Sequence, residues 1–229
     1  TVQTSKNTLS VSLVAEVSPE LSQTATGEIS LTDSTRTTLN NVVSSLNGES
    51  GVMSLRISPE TLNSLAISSN PQDAELLGRL QVVLAKHQVI ASTFVPFDPS
   101  SAEKAKLGSE FDKQLSRGID ILDTRNGDAV INPRTWFSTR PINTDGVALL
   151  ARSGYTNVVF SPQAAQSLGA LDSYTKQYRA DYAGDATKKV SIAVADPQYA
   201  ASLSGGNSNP VQTSMAIAAE IVVQQGELV

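Results

Sequence analysis

The sequence contains no cysteine and a single histidine, His87. A chain without thiols forms no disulfide, offers no thiolate nucleophile and builds no cysteine-based zinc or iron–sulfur site. A chain with one imidazole cannot assemble a metal site from two or three histidines of its own. His87 itself ends an apolar helical stripe, where an imidazole favours the negative end of the helix. We therefore predict neither a metal nor a cofactor.

Charge and long apolar runs are also sparse. The chain has 17 lysines and arginines against 22 aspartates and glutamates, a formal net charge of -5, and no basic run. Nucleic-acid binding needs a concentrated positive surface, so we predict no nucleic-acid partner. No stretch approaches the roughly 20 apolar residues of a membrane helix, and Thr1 opens no signal-peptide pattern. We predict no membrane span within this chain.

The composition suits a globular domain. Hydrophobic residues make up 40% of the 229 residues, which is enough for one α/β domain with a full core. The sequence is rich in serine, threonine, asparagine and glutamine and modest in charge, which is typical of exported bacterial proteins. We interpret residues 1–229 as a single domain excised from a longer exported protein.

The clearest local pattern is a strand, a helix and a strand within residues 132–162. Asn143 and Thr144 offer side-chain acceptors for a helix start, and apolar residues then follow at one-turn spacing. Gly154 can take the left-handed conformation that ends a helix. Residues 158–160 are apolar on both faces, as in a strand covered from both sides. This pattern predicts a parallel sheet.

The same alternation of strands and helices continues along the chain and predicts an α/β fold with right-handed crossovers. Residues 168–187, with Tyr174, Tyr178 and Tyr182, interrupt it, and we interpret them as an excursion above the barrel or sheet, with a hairpin as its candidate form. A last helix is predicted from Asn209. The predicted strands are 8–16, 51–57, 89–95, one within 129–137, 158–160 and 190–194.

The run from Trp136 to Pro162 resembles the closing part of polysaccharide deacetylase domains of the glycoside hydrolase/deacetylase superfamily. The order of the pieces along the chain is similar to that of a domain in large, membrane-anchored actinobacterial envelope proteins of uncharacterised function. The pieces that match that domain are the first strand with Pro19, Ser58-Pro59 after the second strand, Pro96 to Pro99 after the third, Trp136, and Asp196-Pro197. The resemblance implies an irregular or incomplete, six- to seven-stranded parallel β/α barrel. It also implies an extracytoplasmic, cell-envelope location, with anchoring through segments outside this chain.

The metal-binding residues of that family do not carry over to this chain. Deacetylases of this type place paired aspartates after the first strand and two histidines, four residues apart, near the third, and these hold a metal that activates water. Here Glu16 ends the first strand without an acidic pair, and Ser92 and Pro96 stand at the histidine spacing. The resemblance thus implies the scaffold without its usual chemistry.

Five residues are nominated as site candidates because chemistry in β/α barrels gathers at the carboxyl ends of the strands. Glu16 and Asp98 are candidates for the carboxylate pair of a glycosidase. The alternative is that Glu16 pairs with Arg56 or faces solvent, while Asp98 organises the turn from Pro96 to Pro99. The ligand-binding candidates are Arg56, Trp136 and Asp196.

Trp136 and Asp196 each have a structural alternative as well. Trp136, the only tryptophan, is a candidate for stacking on a sugar, and the alternative is that it packs against Phe137 and Pro141. Asp196 precedes a proline at a helix start, where capping is the alternative role.

Two functional hypotheses follow from the sequence. The first is a non-catalytic cell-envelope domain, a pseudoenzyme with a degenerate deacetylase-like barrel, that binds a glycan or an envelope protein. The alternative is a metal-independent glycoside hydrolase that acts on cell-wall or extracellular polysaccharide. The sequence indicates neither the ligand nor the oligomeric state.

Overall fold

The computed structural model describes residues 12–24, 26–48, 51–166, 177–181 and 189–204. It has the mixed α/β character that the sequence predicts. The strands are β1 Val14–Val17, β2 Ser54–Ile57, β3 Gln88–Ile90, β4 Val130–Asn132, β5 Thr135–Ser138, β6 Asn157–Phe160, β7 Tyr178–Asp181 and β8 Lys189–Val194. The helices are α1 Asp33–Asn47, α2 Pro59–Ile67, α3 Pro71–Leu84, α4 Pro99–Lys104, α5 Gly108–Arg125, α6 Thr144–Arg152, α7 Pro162–Ala165 and α8 Pro197–Ser204.

The described strands form two sheets rather than one closed barrel. The first sheet has the order β1-β2-β3-β4, and all of its neighbours are parallel. The second has the order β5-β6-β8-β7, in which β7 runs antiparallel to β8. The predicted parallel pairing is therefore confirmed. Within the described residues the two sheets do not close into a barrel, and the second sheet has one antiparallel edge strand.

The segment 129–137 contains two strands rather than the single predicted one. The side chain of Asn132 accepts hydrogen bonds from the backbone N–H groups of Arg134 and Thr135, at 3.0 and 3.2 Å. An asparagine that bonds the backbone two residues further on makes a turn. This turn ends β4 and sends β5 into the second sheet.

Three other predicted strands are shorter than expected. β2 begins at Ser54 instead of at residue 51. β3 ends at Ile90 instead of reaching residue 95, because Thr93 Oγ1 donates to the carbonyl of Val95 at 2.7 Å and the Phe94 amide donates to Gln114 at 2.8 Å. β1 begins at Val14, and residues 8–11 lie outside the described part of the chain.

Part of the predicted excursion is described, and it does contain a strand. Residues 178–181 form β7, which pairs with β8. Residues 167–176 and 182–188, with Tyr174 and Tyr182, lie outside the described residues, as does the helix predicted from Asn209. The single-domain interpretation of residues 1–229 stays a prediction.

The local signals in residues 132–162 are confirmed. Asn143 Oδ1 accepts from the Gly146 amide at 2.8 Å and caps α6. Gly154 has a φ of +97° just after α6, in the left-handed region that glycine adopts most easily. Residues 158 and 160 are buried in β6.

Alternation within β2 positions the residues of the site. Leu55 and Ile57 are 1% and 0% exposed and pack into a core under α1, α2 and α3. Successive side chains of a strand point to opposite faces, so Arg56 projects from the other face. The parallel register pairs Arg56 with Glu16 of β1. A second core lies between the second sheet and α4, α5 and α6.

A second ion pair joins α1 to α3, away from the sheet face that carries Arg56. Arg36 Nε donates to Asp73 Oδ1 at 2.7 Å, and Ser68 Oγ donates to Asp73 Oδ2 at 2.6 Å. The Asp73 side chain is fully buried. Its hydrogen bond with Arg36 is the main reason that the pKa of Asp73 lies below its usual value, against the opposing effect of burial.

Candidate functional site

A small polar cleft lies at the carboxyl ends of the first three strands. Its volume is about 10 Å³, close to the space that one water-sized group needs. The cleft therefore admits one hydroxyl-sized group rather than a whole sugar ring. Its lining residues are Glu16, Val17, Ser18, Arg56, Ser58, Ser92, Thr93 and Pro96.

An ion pair between Glu16 and Arg56 forms the charged part of the cleft. Arg56 Nη1 lies 2.9 Å from Glu16 Oε1, and the two side chains are 15% and 20% exposed. The same nitrogen donates to the carbonyl of Phe137 at 3.2 Å, which links the first sheet to the second. Burial lowers the pKa of Arg56, and the Glu16 carboxylate opposes that shift. The pair is thus fixed in position, partly reachable from solvent and neutral as a whole.

Trp136 lies behind Arg56 instead of at the rim of the cleft. The indole is 3% exposed, and the Arg56 guanidinium carbon lies 5.3 Å from the centre of its ring, within the range of a cation–π contact. Phe111 and Tyr155 pack against the ring with centroid distances of 5.8 and 5.3 Å. In this arrangement Trp136 meets the cleft through Arg56, and its packing against Phe137 and Pro141 stays a prediction.

Tyr155 is a neighbour of the site that the sequence did not reveal. It is 2% exposed, and its hydroxyl donates to the carbonyl of Ala91 at 3.2 Å. Burial raises the pKa of Tyr155 well above its ordinary value, while Arg56 acts in the opposite direction. Tyr155 therefore serves as a neutral hydrogen-bond donor that holds the end of β3 against the second sheet.

Three buried hydroxyl side chains contribute to the walls of the cleft. Ser58, Ser92 and Thr93 are 8%, 3% and 2% exposed. The Ser58 hydroxyl is buried and makes no hydrogen bond with any described residue, although Ser58 is the N-cap residue of α2. Sequence position gave a weak signal for these residues, because each follows β2 or β3 closely.

The other two site candidates are bound to the backbone of helix starts. Asp98 Oδ1 accepts from the Ser101 amide at 2.7 Å, and Asp196 Oδ1 accepts from the Gln198 amide at 2.8 Å. Both are N-terminal capping geometries, and neither aspartate lines the cleft. The structure therefore brings Glu16 and Arg56 together in the cleft but not Asp98 or Asp196. Their functional roles stay predictions.

His87 lies outside the helix to which its apolar stripe was assigned, because α3 ends at Leu84, and it directly precedes β3 at the end of that strand away from the cleft. It is 3% exposed, and its Nδ1 accepts from the Met53 amide at 3.3 Å. Among the described residues, no group of three or more His, Asp or Glu side chains is placed to hold a metal ion. No helix in the described ranges is long and apolar enough to cross a membrane.

Comparison with known proteins gives a likeness of fold but no family. No family model matches the sequence, and a search of curated proteins returns no match. Among solved structures, the crystal structure of 4-alpha-glucanotransferase from Thermococcus litoralis matches with a TM-score of 0.51 and 13% identity. The match covers 70% of this chain and 23% of that chain.

At 13% identity the likeness concerns the fold alone. It supports a coarse fold of the type seen in a carbohydrate-active enzyme and does not single out the deacetylase branch. Because this chain spans less than a quarter of the length of that structure, the activity of the whole enzyme does not transfer to it.

Proposed function

We propose that this chain is a non-catalytic domain that binds a glycan through the cleft around Glu16 and Arg56. The observation that carries the proposal is the ion pair itself, with a 2.9 Å contact and both side chains partly exposed. A sugar hydroxyl can donate to a carboxylate and accept from a guanidinium at the same time. Because the pair is neutral as a whole, it suits an uncharged polyol.

Two contacts support a binding role over a catalytic one. A glycosidase uses two carboxylates that flank the scissile bond. Here Glu16 is engaged by Arg56, and Asp98 is engaged by the Ser101 amide outside the cleft. Neither carboxylate is free in the way that a nucleophile or general base requires.

The finer proposal is a degenerate deacetylase-like scaffold. Ser92 and Pro96 both line the cleft, and the resemblance places the metal-binding histidines of deacetylases at that spacing. A deacetylase-like scaffold that has lost its metal is expected to carry other residues in place of the two histidines, as Ser92 and Pro96 do on this wall of the cleft. This wall supplies a hydroxyl group and an apolar ring in their place.

We also propose an extracytoplasmic, cell-envelope location, with the chain anchored through segments outside it. The support is the composition, rich in serine, threonine, asparagine and glutamine, together with the resemblance to envelope proteins. Fractionation of cells that express the parent polypeptide tests the location. Recovery of that polypeptide in the cytoplasm would contradict it.

The second candidate is the metal-independent glycoside hydrolase. It is favoured by the likeness of fold to a 4-alpha-glucanotransferase and by the 20% exposure of the Glu16 side chain in the cleft. On this hypothesis Glu16 must leave Arg56 during turnover, and Asp98 must approach the substrate.

One titration experiment separates the candidates. The purified chain is titrated calorimetrically with maltoheptaose, chitotetraose and soluble arabinogalactan, and each sample is then analysed for new reducing ends. A hydrogen bond to a charged group is worth about 1.5–3 kcal/mol. Glu16→Gln removes the charge of the acceptor and Arg56→Lys removes the planar fork of donors, so each should weaken binding by up to about 100-fold. The control is Glu103→Gln, which disrupts a similarly short ion pair with Arg152, 2.7 Å long and away from the cleft.

The proposal expects binding of at least one glycan, no new reducing ends and unchanged binding by the Glu103 variant. New reducing ends that disappear in Glu16→Gln would establish the hydrolase instead. If no glycan binds and an envelope protein co-purifies in a way that depends on the same cleft residues, the ligand of the cleft is a protein and not a glycan.

A further inference from the structure

Glu60 is a buried carboxylate that the glycan cleft does not use directly. It lies in the first turn of α2 and is 1% exposed. Its Oε1 accepts three hydrogen bonds, from the Ser22 amide at 3.1 Å, the Gln23 amide at 2.8 Å and Ser64 Oγ at 2.8 Å. Two of these three donors belong to the loop that follows β1.

That loop is one wall of the cleft. It leaves β1 at Ser18, a lining residue, and folds back on itself through a hydrogen bond of 2.8 Å from the Ser30 amide to the Ser22 carbonyl. The Glu60 carboxylate holds this loop near its middle. Glu60 therefore bonds the same loop that carries Ser18.

The backbone of Glu60 holds the opposite wall. Its N–H donates to the carbonyl of Phe94 at 3.1 Å. Phe94 stands between Thr93 and Pro96, which line the cleft on that side. One residue therefore ties both walls to the start of α2, where Ser58 lines the cleft between them.

The hydrogen bonds of Glu60 fit a positioning role better than a purely stabilising one. Its Oε2 is buried and makes no hydrogen bond with any described residue. Burial of a carboxylate costs free energy unless its oxygens are satisfied, so an apolar side chain of similar volume would suit a simple core position. What a carboxylate or amide oxygen provides here is an acceptor for two backbone N–H groups of the loop.

We propose that Glu60 is a positioning residue for the cleft, whose carboxylate oxygen holds the loop after β1 opposite the wall that contains Phe94, without contacting the ligand. The proposal rests on the glycan-binding function assigned to the cleft. It identifies the carboxylate oxygen, and not the charge, as the group that matters.

The test compares Glu60→Ala and Glu60→Gln with Asp73→Asn. Hydrogen exchange is measured at the Ser22 and Gln23 amides, and affinity is measured for the tightest-binding of maltoheptaose, chitotetraose and arabinogalactan. Glu60→Ala should speed exchange at both amides and weaken binding about tenfold or more, because two buried N–H groups lose their acceptor. Glu60→Gln should restore both properties, because its amide oxygen accepts the same hydrogen bonds.

Asp73→Asn controls for general destabilisation, because Asp73 is an equally buried carboxylate whose partners, Arg36 and Ser68, do not line the cleft. It should lower the melting temperature and leave affinity and the two amides unchanged. If Glu60→Ala fails to fold, Glu60→Met, which keeps the volume, takes its place.

Three outcomes would overturn the positioning role: unchanged exchange in Glu60→Ala, unchanged affinity in that variant, or an equal loss of affinity in Asp73→Asn. Binding of no glycan by the unaltered chain would contradict the function of the cleft. The exchange measurement would still decide whether Glu60 holds the loop.

Discussion

Two helical glycines should respond in opposite directions to the same substitution. Gly118 lies inside α5, where an added Cβ would stand 2.0 Å from the Ser92 carbonyl oxygen and 2.9 Å from the Phe94 nitrogen. Gly78 lies inside α3, where an added Cβ would meet nothing within 4 Å. Both glycines have ordinary helical backbone, so the difference between them is the space beside the helix.

The expected magnitudes follow from that difference. Glycine in a helix interior is about 1 kcal/mol less favourable than alanine, so Gly78→Ala should stabilise the chain by about 0.4–1 kcal/mol. At Gly118 the obstructing atoms are backbone and cannot turn aside. Overpacking of this kind costs about 1–3 kcal/mol, and we expect the upper part of that range, which outweighs the gain in helix propensity.

Thermal unfolding of the two variants, followed by circular dichroism, measures the difference. For a chain of this size 1 kcal/mol shifts the melting temperature by about 2–4 °C. Gly118→Ala should therefore melt about 2–8 °C below the unaltered chain, and Gly78→Ala slightly above it. If Gly118→Ala melts at or above Gly78→Ala, α5 does not pack closely on the segment that carries Ser92, and the wall of the cleft is placed wrongly.

Two further predictions concern buried polar contacts. Asp73→Asn should cost about 2–4 kcal/mol, below the upper end for a buried pair because Arg36 is partly exposed. Arg36 holds the folded-state pKa of Asp73 below its unfolded value of about 3.9, so this stabilisation is present above about pH 4 and is lost as pH falls through the folded pKa. Urea unfolding of the unaltered chain and of Asp73→Asn, at pH 7 and at pH 3, should show that the difference in their free energies of unfolding shrinks in acid. An equal difference at the two pH values would contradict the prediction. Tyr155→Phe should cost about 1 kcal/mol by leaving the Ala91 carbonyl unpaired, and an unchanged urea midpoint would show that this hydrogen bond contributes nothing.

Local signals explain which parts of the fold could be predicted from the sequence. The cap at Asn143 and the glycine at Gly154 each act within a few residues, so the bounds of α6 followed from them. The break between β4 and β5 is also local, since Asn132 bonds the two amides that follow Pro133. This break was not predicted, because apolar residues stand on both sides of the turn and the segment 129–137 has the pattern of a single strand.

Contacts between distant residues explain what the sequence did not reveal. Tyr155 bonds a carbonyl 64 residues away, and Glu60 bonds amides 38 and 37 residues away. The pairing of Glu16 with Arg56 was one of several alternatives that the sequence left open, and the parallel register of β1 and β2 makes it the one observed. Such register depends on the packing of whole strands and cannot be read from single residues.

The most direct test of the central claim is a two-dimensional ¹H–¹⁵N NMR titration of the unaltered chain with the glycan that binds it most tightly. If the cleft binds without catalysis, the Arg56 Nε–H and the Trp136 indole N–H should shift together as glycan is added, because the guanidinium lies 5.3 Å from the ring. Amides of α3 should stay in place, and no new reducing ends should form. Shifts confined to residues away from Glu16 and Arg56, or the appearance of cleaved glycan, would contradict the account.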